Sequence, residues 1–483
     1  MPPKVNKCPS DLAKKFQALK LHENVDLEQD NAKRPFIHSA TVQEDHKEQL
    51  FGCAFNPYAE PEDVQYFATV GKNSIRVYKC PKDVNHILPV FSFSVTVAKK
   101  PEKEELFSVT WAYDTYEAEK NRNAYKLVAG GACGQIYVVD FETRELCNIL
   151  RSFGNEVNDI RTSPVDSNLV ASSCQDLSIR IHHIRNESCL LVIGGARGHQ
   201  GNILSLDWHI TGDYLVSSSF DHRVMKWDLS TTAVQNHLKK ACDALSKGKQ
   251  NIFIQTNEGI DDKCLNDDFS NEKQVFKTIF GSEPVKVSEF DVEMEPAAAI
   301  RDVANNFSEN RNTVYPITIP CGLASDVHDD YVDCVRILPG TDYIISKSTG
   351  ADTAIRTWRF GPPQTQTMNT DGRPILEATE CTTLFNSRNV PNGEPYFLRF
   401  AVDPCRRWLV CGSALGFVHF YDLRNFDRDQ EPMMTIRCGN DSVRQVSFST
   451  CGRFICTVDD QGLVCRFDRI SESVDPTELS KFP

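Results

Sequence analysis

The chain reads as an all-β protein, a seven-bladed β-propeller, and three observations predict that class. One short-strand unit recurs seven times along its 483 residues. The unit has the length of a four-stranded blade. A β-like run near the N-terminus is placed to complete the last copy.

The unit is plainest in one segment, where Gly198-His199 is followed by NILSLDW and then TGDYLVSSSFDHRVMKWDLS. This is an apolar strand, a Gly-Asp turn, a second strand, an Asp-bearing turn, and a third strand ending at Trp227-Asp228. Short strands with turns at this spacing form an antiparallel meander. The frame from Gly-His to Trp-Asp is that of a WD-repeat blade of about 40–45 residues.

The other copies keep the grammar and lose most of the marks. Blades open at LFGCAF (from Leu50), LFSVTW (Leu106), VNDIRTS (Val157), ILSLDW (Ile203), YVDCVRIL (Tyr331), YFLRFAVD (Tyr396) and VRQVSFS (Val443). Their third strands end at RVYKC, YVVDF, IRIHHI, MKWDL, IRTWRF, VHFYDL and VCRFDR. A lone four-stranded sheet leaves both faces in water, whereas seven packed radially cover one another and close a ring. The run Phe36 to Val42 would supply the outer strand of blade seven and join the two ends of the chain.

These readings divide the chain into a flexible N-terminal segment (1–35, with a short helix from Asp11), a propeller (36–470) and a C-terminal tail (471–483). The step from Ile203 to Val332 is about twice the longest of the others, so an insertion is placed at about 231–327, between blades four and five. Its first part, AVQNHLKKACDAL, has apolar residues at helical period. The remainder is acidic and polar, which predicts a mobile loop. An eighth blade is the competing reading of the span.

Composition narrows the function classes. A net charge of −13 argues against a broad nucleic-acid footprint, which needs cations for the phosphates, and suits a basic partner. No run of about 18 apolar residues is present, so no membrane span is expected. Met1 to Asp11 lacks the apolar centre of a secretory signal, so the protein is expected inside the cell. The 18 cysteines are scattered singly, many within apolar runs such as those around Cys53, Cys334, Cys411 and Cys465. Without zinc-site spacing they read as small buried hydrophobes, and no metal or cofactor is expected.

No catalytic set emerges, and the chain is read as a binding protein rather than an enzyme. Gly130-Gly131 and Gly194-Gly195 are lone pairs without a phosphate-binding loop. His182-His183 points to opposite faces of a strand. His199 and Asp221 resemble a proton relay. With Ser217 or Ser219 and Trp227, however, they occupy the positions at which a WD blade pins its strands by hydrogen bonds. The unusual feature is a set of aromatics at the start of inner strands: Phe51, Phe107, and the pair Tyr396 and Phe397. In a propeller those positions ring one mouth of the channel.

The stretches EDHKEQLFGCAFN, FATVGKNSIRVYKC, LFSVTWAYD, GHQGNILSLDW, HDDYVDCVR, IISKS, FLRF and VRQVSFS carry a resemblance. Over Glu44 to Arg469 the chain resembles the EED/extra sex combs family, the WD-repeat subunits of the Polycomb repressive complex. That resemblance implies a nuclear, non-catalytic partner of an Enhancer-of-zeste-type SET-domain methyltransferase and of other Polycomb subunits. It also implies recognition of trimethyl-lysine on the histone H3 tail, with Phe51, Phe107, Tyr396 and Phe397 as an aromatic cage. Trp111, Asn158, Tyr331, Asp333, Arg399 and Arg444 match family positions around the peptide site. The family carries tyrosine at positions 107 and 397, tryptophan at 396 and an acidic residue at 202, where this chain has Phe, Phe, Tyr and Asn. A general WD-repeat scaffold or ubiquitin-ligase substrate adaptor is the alternative, and it accounts for the blades but not for the matched aromatics.

Overall fold

The computed structural model describes residues 35–470, apart from 248–313 and several shorter interior stretches. Seven antiparallel sheets follow one another along the chain, with the innermost strands at Gly52–Phe55, Leu106–Tyr113, Val157–Thr162, Ile203–Trp208, Val332–Ile337, Ala401–Val402 and Val443–Phe448. These are the expected seven blades.

The ring closes as the sequence predicts. Phe36–Gln43 pairs antiparallel with Leu463–Arg469 as the outer strand of blade seven, in a register running from Phe36 opposite Arg469 to Gln43 opposite Leu463. Phe36 is fully buried and packs on Trp408 and Phe420 of blade six, so the closing strand is locked at its first residue.

Each of the seven blade interfaces has its own apolar cluster. Between blades one and two, for example, Val70, Val77, Trp111, Leu127 and Val139 are fully buried. Burial of this kind contributes about 25 cal/mol per Å² and supplies most of the cohesion. Around the channel, hydrogen bonds join each blade's inner segment to the next. Trp111 donates to the Ala54 carbonyl, Ser108 to Asp159, Ser205 to Asp159, and the Val335 amide to Ser205. The Leu398 amide donates to Asp333, the Arg399 amide to the Arg444 carbonyl, and the Phe55 amide to Ser447.

The 231–327 span is not a simple excursion, and both of its ends belong to the ring. Helix Thr232–Leu245 buries Val234, Leu238 and Ala241 against the core between blades three and four. Tyr315–Ile317 adds a fifth, parallel strand to blade three, and Gly322–Ala324 is the fourth strand of blade four. The sequence missed these two strands because three residues are too few to show alternation. The mobile-loop expectation, the 1–34 segment with its short helix and the tail from 471 lie outside the described residues.

Candidate functional site

The channel mouth is built by a repeated irregularity. In five inner strands the pairing register slips by one residue after the first position, skipping Phe107, Asn158, Leu204, Asp333 and Arg444. A bulged residue leaves the ladder and its side chain is re-aimed, so one device serves five blades. Phe51 stands just ahead of the blade-one strand, with its amide donating to the Val70 carbonyl.

Blade six departs from this plan. Its inner strand is only Ala401–Val402, and the preceding segment carries Phe397 at a φ of 59°. The left-handed region costs a non-glycine residue roughly 1–2 kcal/mol. The sequence reading of Tyr396 and Phe397 as the first residues of an inner strand is therefore corrected: they sit on an irregular segment in front of it. Asp333 accepts from the Leu398 amide at 3.3 Å and Arg444 donates to the Tyr396 carbonyl at 2.8 Å, which hold that segment over the mouth.

Phe51, Phe107 and Phe397 come together. Their ring centroids are 5.1 Å (Phe51–Phe107), 5.9 Å (Phe107–Phe397) and 6.4 Å (Phe51–Phe397) apart. Tyr396 lies 5.4 Å from Phe397 and is 54% exposed, whereas Phe107 and Phe397 are each only 9% exposed. Centroid separations of about 4.5–7 Å are those of aromatic rings in direct contact. The rings thus pack on one another, edge to face for two of the three pairs, and a ligand cation entering between them must part them.

Two guanidinium groups already lean on this cluster. Arg399 lies 5.0 Å from the Phe397 centroid and Arg444 lies 5.9 Å from that of Phe51. Arg399 is fully buried and reaches across the channel to donate to the Phe107 and Asn158 carbonyls. Arg444 is locked by two 2.6 Å bonds to Asp460.

The six expected rim residues therefore separate. Tyr331 is 42% exposed, whereas the Arg444 side chain is only 13% exposed. Asn158, Asp333 and Arg399 are buried beneath the mouth as its support. Asn158 donates to Asn202 at 2.6 Å and to the Ile203 carbonyl at 2.8 Å. Asp333 pairs with buried Lys347 at 3.1 Å, and burial, opposed by that lysine, holds its carboxyl above the usual range. Trp111 is a correction. It lies four residues beyond Phe107, about 13 Å along the strand, and is fully buried between blades one and two.

Sequence reasoning missed Phe220 and His222. Phe220 packs edge-on to Tyr331 (4.7 Å) and Tyr396 (6.3 Å), and His222 lies 5.3 Å from Tyr331, so the aromatic surface continues from the cluster to blade five. Both flank Asp221 in the turn of the best-marked repeat, which was the available signal.

The blade-four network forms as expected, through Ser217 and not Ser219. His199 bonds Ser217 at 2.8 Å and Asp221 at 3.0 Å, and Trp227 donates to Ser217 at 2.9 Å. Blade five repeats it: His328 bonds Ser346 at 2.7 Å, Trp358 donates to Ser346 at 2.8 Å, and Asp352 lies 3.4 Å from His328. The His-to-Ser separation is 18 residues in both blades, a spacing the sequence offered. Among the described residues, no group of three His, Cys, Asp or Glu side chains is arranged to hold a metal ion. No described helix is long and apolar enough to cross a membrane.

Comparison with known proteins follows the same lines. The model of the WD domain, G-beta repeat, matches residues 188–228, the best-marked blade. The Polycomb protein mes-6 of Caenorhabditis elegans is 46% identical over 97% of this chain and 99% of its own length. The Polycomb protein esc of Drosophila melanogaster is 24% identical over 89% and 83%, respectively. Among solved structures, a chain of an active polycomb repressive complex 2 in the basal state superposes with a TM-score of 0.63 at 16% identity, covering 91% of this chain and 99% of that one. A chain of the ctPRC2 structure in complex with H3K27me3 and H3K27M gives 0.62 at 16%, covering 91% and 99%.

Proposed function

Because the chain belongs to the Polycomb family of mes-6 and esc, we propose that it is the WD-repeat subunit of a nuclear histone H3 lysine methyltransferase complex that receives a trimethyl-lysine at its aromatic mouth. It has no enzymatic role of its own, and the methyl transfer belongs to a SET-domain partner of Enhancer-of-zeste type.

The observation that carries the reading is the convergence of Phe51, Phe107 and Phe397, from three different blades, at one opening. A trimethylammonium group offers no N–H donor and is weakly hydrated, so ring faces are its natural partners. Each cation–π contact contributes about 0.5–2 kcal/mol. Parting the packed rings costs about 0.5–1.5 kcal/mol per aromatic contact. The exchange is close to even, so contacts of the flanking peptide must supply the net affinity. The net charge of −13 suits a basic tail. One relative of this fold comes from a complex with H3K27me3.

The scaffold half of the proposal is tested by purifying the tagged chain from nuclei. Recovery of a SET-domain methyltransferase supports it, and recovery of a cullin-type ligase in its place overturns it.

A further inference from the structure

The charge around the channel is lopsided. Counted on from the bulges, alternate residues of the inner strands share one face. They are Ser108 and Thr110 in blade two, Asp159 and Arg161 in blade three, Ser205 and Asp207 in blade four, and Cys334 and Arg336 in blade five. Blade seven contributes only the neutral pair Gln445 and Ser447. Blade six adds Arg399, which crosses the channel to the Phe107 carbonyl. Asp333 and Arg444 are matched by Lys347 and Asp460. What is left on the side of blades three to six is three guanidinium groups against the carboxyls of Asp159 and Asp207.

The three converge on Asp159. Its Oδ1 accepts from Ser108 at 3.1 Å and lies 3.9 Å from Arg399 Nη1. Its Oδ2 accepts from Ser205 at 3.0 Å, with Arg336 Nη1 at 3.4 Å and Arg161 Nε at 3.5 Å from the same oxygen. Asp207 is turned toward the Ile337 amide, 2.9 Å away, and burial lifts its carboxyl to about 6. Arg336 is 8% exposed and spans three blades along the channel, since its Nη1 also donates to Ser205 at 2.9 Å and to the Leu206 carbonyl at 3.3 Å. Its Nη2 is buried and has no hydrogen-bond partner among the described residues, and the same holds for Nε of fully buried Arg399. Buried N–H groups take acceptors and buried charges take partners, so this arrangement lacks one negative group.

We propose that the channel beneath the aromatic mouth binds one small monovalent anion of the chloride class, held between Arg336 Nη2 and the Arg161 guanidinium. The site is local, because a chain with a net charge of −13 repels anions elsewhere. Asp159 sets the selectivity. With its carboxylate 3.4 Å and 3.5 Å from the two arginines, a single charge completes the balance, whereas a doubly charged phosphate or sulfate would meet that carboxylate at close range. The ion joins blade three to blade five at the point where Arg336 passes blade four, and so stabilises the closed ring.

Crystals of the full-length chain soaked in sodium bromide test the site directly, because bromide replaces chloride and is located by its anomalous scattering. A peak in contact with Arg336 Nη2 is expected. In solution, melting temperature is followed as sodium chloride replaces sodium gluconate at constant ionic strength, which leaves screening unchanged. The wild-type chain should show a rise that continues with chloride concentration as binding to the folded state alone requires, and Arg336→Met should show none. The bromide measurement uses the unaltered chain, so it decides the matter even where Arg336→Met does not fold. No peak at Arg336, a peak on exposed lysines only, equal melting in the two salts, or a rise that persists in Arg336→Met would each overturn the proposal.

Discussion

Blade four and blade six are built from the same repeat and put it to opposite use. Blade four has a six-residue inner strand, Ile203–Trp208, and all the marks of its repeat. His199, Ser217 and Trp227 are buried in one closed hydrogen-bond network. Blade six has two inner-strand residues and no such network, and the Trp408 indole N–H is buried without a hydrogen-bond partner. The chain it frees carries Tyr396 and Phe397 over the channel. Where the repeat obeys its rule it makes the wall, and where blade six breaks the rule it carries Tyr396 and Phe397 over the channel.

The largest expected effect that would break this comparison is on stability. Trp227→Ala removes a fully buried indole and should cost about 3–5 kcal/mol in denaturant unfolding. Tyr396→Ala, at an exposed position, should stay within about 0.5 kcal/mol of wild type while losing most methyl-dependent peptide binding. A large stability loss for Tyr396→Ala would place it in the wall.

Next come the two serines. Ser217→Ala and Ser346→Ala each leave a buried indole N–H and an imidazole nitrogen without their partner, and each should cost about 1–3 kcal/mol by the same measurement. Equal losses would show that blade five is a true second copy of the blade-four network, and a neutral Ser346→Ala would break that equivalence.

A smaller effect sharpens the reading of blade six. Phe397→Gly relieves the positive φ while deleting the ring. It should destabilise less than Phe107→Ala in thermal melts, yet weaken peptide binding at least as much.

The smallest effect concerns pH. Burial pushes the His182 imidazole in blade three down to about 4 from 6.5. Its contribution to stability is therefore complete above pH 6.5 and is lost as the pH falls toward about 4. Burial lifts Asp459 in blade seven to about 6 from 3.8, so its contribution is complete below 3.8 and is lost as the pH rises through about 6. The two windows overlap and the slopes oppose, so on acidification from pH 6.5 to 4 the melting temperature should fall less than in wild type for His182→Gln and fall more for Asp459→Asn.

The ring was legible because apolar strands and turn residues recur at blade period, and because Phe36 to Val42 had no other sheet to join. The aromatic trio was legible for the same reason, since Phe51 and Phe107 hold matching places in LFGCAF and LFSVTW. Trp111 was misplaced because family position carries no depth along a strand, and depth decides whether a side chain reaches the mouth. Phe220 escaped because it becomes an aromatic neighbour only when blade five brings Tyr331 within 4.7 Å. The strands Tyr315–Ile317 and Gly322–Ala324 escaped because their partners, not their own residues, make them strands.

The central claim is that the packed mouth opens for a methylated lysine, and calorimetric titration with trimethylated and unmodified histone H3 tail peptides tests it most directly. The account predicts measurable binding of the trimethylated peptide alone, abolished in Phe51→Ala. Equal binding of both peptides, or of neither, would contradict it and leave the aromatic cluster as packing at the end of the channel.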